Sequence, residues 1–169
     1  MRCDAIETTK APMHGQLASA ESALAFMVAG NATVTLVSKK TGNRFTYKIR
    51  QAETDSDSQS ELYFVSLLRG ADNESDYSYL GRIAKGQLYI GRKSPKPGDI
   101  GRDAPSALAF DYAWQHITRG NLPAVLEIWH EGKCGRCGRK LTVPSSIESG
   151  FGPECINHVG PRPEPGKAF

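Results

Sequence analysis

Several features that would assign a class of protein are missing from this sequence of 169 residues. No apolar stretch approaches the roughly 18 residues that a membrane-spanning helix needs, and no signal-peptide pattern opens the chain. The sequence has no internal repeat, and His-Glu-x-x-His and other catalytic motifs are absent. We therefore expect a non-enzymatic protein of the cytoplasm, where cysteines stay reduced.

Cysteine is scarce, with four residues in the chain, yet three of them lie in the last quarter. With one histidine they form the pattern Cys-x2-Cys-x17-Cys-x2-His. Each x2 pair can reach one ion from a single turn, and structural zinc takes four thiolate or imidazole ligands. A disulfide is disfavoured, because Cys-x2-Cys in an intracellular chain more often binds metal. We predict a structural Zn²⁺ bound by Cys134, Cys137, Cys155 and His158.

The fourth ligand has an alternative in His130, which precedes the first cysteine pair and could replace His158. Gly135 and Gly138 can adopt the positive φ angles that the turn of a zinc knuckle requires. Pro153 indicates that the second ligand pair opens a helix, whose N-terminus favours a thiolate. A knuckle followed by a helix start is typical of a treble-clef or zinc-ribbon-like finger.

Hydrophobic periodicity predicts an α+β domain over residues 18–130. Helical spacing predicts one helix from Ser19 to about Ala29 and a second that begins near Ala104. Runs rich in β-branched, aromatic and apolar residues predict strands over 32–38, 44–50, 61–68, 77–84, 87–92 and 124–129, of which 61–68 is apolar on both faces and is expected to be central. We expect an antiparallel sheet of about five strands with two covering helices, and a zinc finger packed on this domain.

The ends and loops of the chain are predicted from composition. Residues 1–17 lack periodicity and are expected to be a loose leader, whereas residues 160–169 hold three prolines and are expected to be disordered. The zinc finger is assigned to residues 131–159. Two acidic loops, 53–61 and 72–76, have no role that the sequence defines.

Charge is segregated along the chain, although the net charge is only +3. Residues 1–50 carry a net charge of +4, residues 51–77 carry −6 and residues 78–169 carry +5. A basic protein with one acidic segment can be oriented on a partner by its electric field. The acidic residues could equally serve to solvate two loops.

Basic residues are candidates for contacts with phosphates or with a protein partner. In strand 44–50 the alternation directs Tyr47 to the core and directs cations to the other face. The candidates are Lys39, Lys40, Arg44, Lys48, Arg50, Arg136, Arg139 and Lys140. Those near the cysteines could instead neutralise the negative charge of a Cys3His zinc site.

Residues 133–155 contain the elements Cys-Gly-x-Cys-Gly-Arg-x-Leu-Thr, then Pro-x-Ser, then Gly-x-Gly-Pro-x-Cys. In these elements the chain resembles a zinc-finger domain of unknown function that is common in phage and prophage proteins. The resemblance implies a phage origin and a structural zinc. It implies no activity, because that family has none assigned.

These observations lead to three hypotheses about function. The first is a phage-encoded binding protein that engages a host protein or ribonucleoprotein complex in the host cytoplasm, for instance as an anti-CRISPR-like counter-defence inhibitor. The alternative is an accessory protein that binds DNA or RNA directly. A hydrolase or nuclease using Asp111, His116 and Glu127 is disfavoured, because these residues share no motif.

Overall fold

The computed structural model describes most of the chain. The described residues are 15–53, 61–72, 75–92, 94, 96–142 and 144–158. Most of the predicted leader, the centre of the first acidic loop, two residues of the second loop and the predicted tail lie outside them. Within the described ranges, no helix has the length and apolar character needed to cross a membrane.

The strands and the two long helices follow the order that the periodicity predicts. A short helix over 144–149 was not predicted, and the helix expected to open at Pro153 is a three-residue 3-10 turn. The helices are α1 (Ala20–Met27), α2 (Pro105–Thr118) and α3 (Pro144–Ser149), followed by one 3-10 turn, Cys155–Asn157. The strands are β1 (Asn31–Ser38), β2 (Arg44–Gln51), β3 (Leu62–Leu68), β4 (Tyr77–Ala84), β5 (Gln87–Ile90) and β6 (Leu126–His130).

The strands form one antiparallel sheet in the order β5-β4-β3-β2-β1-β6. Strands β1 to β5 are a meander, in which each strand pairs with the next one in sequence. After α2 the chain returns to the far edge and adds β6 beside β1. The predicted α+β class is confirmed, and the sheet has six strands where about five were expected.

Local sequence explains where the two long helices begin. Ser19 and Ser22 form a capping box: the Ser19 side chain accepts from the Ser22 backbone N–H at 3.1 Å, and the Ser22 side chain accepts from the Ser19 N–H at 3.3 Å. These bonds satisfy N–H groups that have no partner within the helix. In α2, Pro105 lies at the first position, where its missing N–H is not needed.

One face of the sheet is buried beneath α1 and α2. Tyr47 is central to this core: its ring lies 4.9 Å from the Phe110 ring, and its hydroxyl donates to the Ser106 carbonyl at 2.7 Å. Burial also raises the pKa of Tyr47 far above its ordinary value. On the same face, Tyr63 donates to the Val28 carbonyl at 2.9 Å and thereby ties β3 to the end of α1.

The opposite face of the sheet carries exposed side chains, since both long helices make their sheet contacts from the core side. Phe64 on β3 is 41% exposed and Tyr89 on β5 is 43% exposed. Strand β3 was predicted to be central because both of its faces are apolar. It is central, between β2 and β4, but one of its apolar faces is open to solvent. We refer to this surface as the open face.

The buried Tyr47 hydroxyl provides a test of this packing. We expect Tyr47→Phe to lower the free energy of unfolding by about 1–2 kcal/mol, because the buried Ser106 carbonyl loses the hydrogen bond from the Tyr47 hydroxyl. The control is Tyr89→Phe, which removes an exposed hydroxyl that donates to the Gln87 side chain and should change stability by less than about 0.5 kcal/mol. Urea unfolding measures both, and equal losses in the two variants would contradict the packing described.

Candidate metal centre and the open sheet face

The first cysteine pair lies in a tight turn that backbone hydrogen bonds close. The Cys134 N–H donates to the Arg139 carbonyl at 2.8 Å, and the Gly138 N–H donates to the Cys134 carbonyl at 2.9 Å. Gly138 has a φ of 79°, as the knuckle interpretation requires. Gly135 does not have a positive φ, so the reason proposed for that glycine is wrong.

The close approach of the Phe26 ring explains why residue 135 is a glycine. A Cβ atom at this position would lie 2.7 Å from Cδ2 of Phe26, closer than such atoms can approach. At Gly150, whose φ is 83°, a Cβ atom would lie 2.6 Å from the same ring atom. Phe26 is fully buried, and its ring also lies 5.3 Å from the His130 ring and 5.8 Å from the Phe151 ring. The two glycines therefore allow the cysteine unit to pack directly on α1.

The three cysteines of the C-terminal region lie together. The sulfur atoms of Cys134, Cys137 and Cys155 are all within 4.8 Å of one another, and none of these cysteines forms a disulfide. Sulfur atoms that share one zinc ion at Zn–S distances of about 2.3 Å lie roughly 3.8 Å apart. Cys134 and Cys155 are buried and Cys137 is exposed. The group can thus hold a metal ion with little movement.

The surroundings favour the thiolate at Cys134 and the neutral thiol at Cys155. Burial raises the pKa of Cys134, but hydrogen bonds from the backbone N–H groups of Cys137, Gly152 and Arg136 outweigh burial and lower this pKa to about 7. Burial raises the pKa of Cys155, and the Arg136 guanidinium, which donates to its sulfur at 3.7 Å, acts in the opposite direction. A thiolate is the form that binds metal.

Among the described residues, the metal-binding group contains no histidine. His130 is buried, and both of its ring nitrogens have partners: Nε2 donates to the Ile147 carbonyl, and Nδ1 accepts from the Gly132 N–H at 2.9 Å. Burial lowers the pKa of His130, and the bond to Ile147 acts against this. His158 is exposed and lines a groove with Arg136 and Glu53.

The predicted basic residues fall into three groups. Arg44, Lys48 and Arg50 lie on the open face of β2, opposite to the buried Tyr47. The residues of the β1–β2 turn, Lys39 and Lys40, are exposed, and Lys39 forms an ion pair with Glu127 at 3.6 Å. The residues of the knuckle are Arg136, which contacts Cys155, and Arg139 and Lys140, which line a groove of about 300 Å³ beside the cysteines.

Sequence reasoning missed the aromatic residues of the open face. Three of them pair with cations: Lys48 Nζ lies 4.1 Å from the centre of the Tyr77 ring, Arg92 lies 4.0 Å from that of Tyr79, and Arg82 lies 4.9 Å from that of Tyr89. Alternation from Ile83 and Leu88 could have assigned Arg82 and Tyr89 to this face, but it assigns Tyr77 and Tyr79 to the core face. The register shift between β3 and β4 brings those two tyrosines to the open face.

The three residues considered for hydrolysis do not form a site. Asp111 and His116 lie on α2, which covers the core face. Glu127 lies on β6, next to the buried Ile128, and its side chain lies on the other side of the sheet. There its carboxylate accepts a hydrogen bond from the Trp129 ring N–H and forms an ion pair with Lys39. The sheet separates the two groups.

Comparison with protein families gives one similarity. Residues 125–160, which include β6 and all three clustered cysteines, match the model described as "Family of unknown function (DUF6011)". Comparisons with curated proteins and with solved structures found no match. The matching family supports the grouping of the cysteines in one unit and supplies no activity.

The contact between Gly135 and Phe26 leads to a prediction about stability. We expect Gly135→Ala to lower the free energy of unfolding by about 1–3 kcal/mol, because the added methyl group overpacks a ring that has no room to move. The matched control is Gly152→Ala in the same unit, where a Cβ atom would meet nothing within 4 Å. Thermal unfolding of both variants tests this, and a control as unstable as Gly135→Ala would refute the steric explanation.

Proposed function

We propose that this chain is a non-enzymatic nucleic-acid-binding protein whose C-terminal unit is stabilised by a structural zinc ion. The observation that carries the proposal is the open face of the sheet, where cations and exposed aromatic rings lie side by side on a surface that the long helices leave uncovered. Such a surface offers ionic contacts for phosphates and flat contacts for bases.

The charge of the open face supports a polyanionic partner. Four cations occupy strand positions of this face, namely Arg44, Lys48, Arg50 and Arg82. The carboxylate of Glu127, at the β6 edge, already pairs with Lys39. The positive charge is therefore concentrated over β2 to β4, the central part of the sheet.

Zinc is the metal that suits the cysteine group best. Three thiolates are soft ligands, which favour zinc over magnesium or calcium. Two of the three sulfurs belong to buried residues and the unit packs on α1 through Phe26, which supports a structural role. When bound, the ion would link the knuckle to the turn at Cys155.

We propose His158 as the fourth ligand. Coordination by His130 would require it to give up a hydrogen bond to the Ile147 carbonyl or the Gly132 N–H. His158 is exposed and ends the turn that begins at Cys155, so its ring can reorient at little energetic expense.

The proposal is compatible with two kinds of biological partner. RNA within a ribonucleoprotein complex would present the same phosphates and bases as free RNA, so the proposed surface suits either partner. Phage origin, cytoplasmic localisation and a counter-defence role stay predictions of the sequence.

The metal can be tested directly. We expect about one zinc per chain in the purified protein by elemental analysis, and we expect Cys134→Ser to lose the metal and most of its thermal stability, because metal binding contributes folding free energy. The matched control is Cys3→Ser, which removes the cysteine that is not part of the sequence pattern Cys-x2-Cys-x17-Cys and should retain both. Zinc well below one equivalent in the unaltered chain would refute the proposed site.

Binding should depend on salt and on the open face. We expect labelled oligonucleotides to bind at low ionic strength and to bind more weakly as salt rises, because bound phosphates release counterions. Arg50→Glu should weaken binding by at least tenfold, whereas Arg119→Glu, at the exposed end of α2, should have a much smaller effect. Fluorescence anisotropy measures both, and equal losses would argue against the open face as the contact surface.

A further inference from the structure

We propose that the open face binds single-stranded nucleic acid, with unpaired bases stacked on Phe64 and Tyr89 and phosphates bound by Arg50 and Arg82. This inference rests on the proposed function and specifies its ligand. The source of the strand, RNA or DNA, is left to the experiment, since the two share the unpaired base and the phosphate chain.

The register of the sheet brings these four residues into one row. Arg50 on β2 is paired with Phe64 on β3, Phe64 with Arg82 on β4, and Arg82 with Tyr89 on β5. Because directly paired residues of adjacent strands point to the same face, the row alternates cation, ring, cation and ring across the open face.

The two rings of this row are the most exposed aromatic residues of the sheet, at 41% for Phe64 and 43% for Tyr89. An aromatic ring that is exposed in the middle of a sheet is not stabilised by packing in the core, whereas a nucleic-acid base can cover it. Stacking of a base on such a ring contributes about 1–3 kcal/mol and tolerates any sequence, since every base has a flat face.

A second row adds to the same surface. Lys48 on β2 is paired with Ser66 on β3, and Ser66 with Tyr79 on β4, whose ring lies against Arg92. Lys48 itself lies over Tyr77. In this row Lys48 adds a cation near the surface, whereas Arg92 is already paired with Asp99 at 2.9 Å.

The spacing of the rings favours an unpaired strand. Phe64 and Tyr89 lie two strands apart, which corresponds to roughly 9–10 Å. Stacked bases of a duplex follow one another at about 3.4 Å, and their faces are covered by their neighbours. Rings on a sheet can therefore reach bases only when the bases are splayed apart, as they are in single-stranded recognition.

The test compares four probes of equal length: a single-stranded RNA, a single-stranded DNA, a duplex DNA and an abasic single strand that keeps the phosphates. We expect the unaltered chain to bind at least one of the two natural single strands at least tenfold more tightly than the duplex and the abasic strand. Preference for RNA or for DNA identifies the source.

The decisive variant is Phe64→Leu with Tyr89→Leu, which removes both rings and keeps every charge. We expect it to bind that single strand about 10- to 100-fold more weakly and to bind the abasic strand unchanged. The matched control is Tyr112→Leu, which removes a ring that is 45% exposed on α2 and should leave both affinities unchanged. Thermal unfolding of each variant verifies that it folds.

The outcomes separate the two proposals. Equal binding of single strand and duplex, with no loss in the double variant but a loss in Arg50→Glu, would overturn the stacking inference and leave nucleic-acid binding intact. No binding of any probe at low salt would overturn both. A loss of single-strand affinity that the abasic strand does not share supports stacking.

Discussion

Burial of only one face of the sheet is the constraint on which the rest of this structure depends. Strand β2 carries Tyr47 and Ile49 into the core and therefore carries its cations outward, because side chains alternate along a strand. With α1 and α2 both on the core side, nothing from the long helices neutralises that outward charge. The same alternation in β3 and β5 places Phe64 and Tyr89 among the cations, and the register shift between β3 and β4 adds Tyr77 and Tyr79. The composition of the open face is thus a direct result of how the core is built.

The cysteine unit depends on a second packing contact, made by Phe26. This residue lies in α1, more than a hundred residues before the first clustered cysteine, and its ring contacts both segments that carry the sulfurs, through Gly135 and Gly150. The backbone bond from the Asn31 N–H to the Gly135 carbonyl, at 2.8 Å, holds the same junction. A metal ion at the cysteines would therefore stabilise more than the C-terminal loops, since it would fix the surface on which α1 packs.

Much of the fold was predictable because it follows from short-range patterns. Alternation and, at 61–68, a continuous apolar run identified the strands, and the capping serine identified the start of α1, since these signals lie within a few residues. Cysteine spacing identified the cysteine cluster, because ligands that share one ion follow a characteristic spacing even when 17 residues separate the two pairs. The role of Gly135 could not be predicted, because it depends on contact with a ring distant in sequence. The aromatic row was missed because a run such as Leu62–Leu68, apolar on both faces, does not reveal which face the helices will cover.

The position of Phe26 also bears on how the C-terminal unit can occur in other proteins. The family similarity begins at residue 125, so the ring that contacts Gly135 and Gly150 comes from outside the matched region. In this chain the unit therefore does not pack on its own residues alone, because Phe26 completes its core. We expect a related protein that contains the unit to supply a comparable large apolar side chain from another part of its chain or from a partner. Substitutions at that distant position and at the two glycines should then vary together among related sequences.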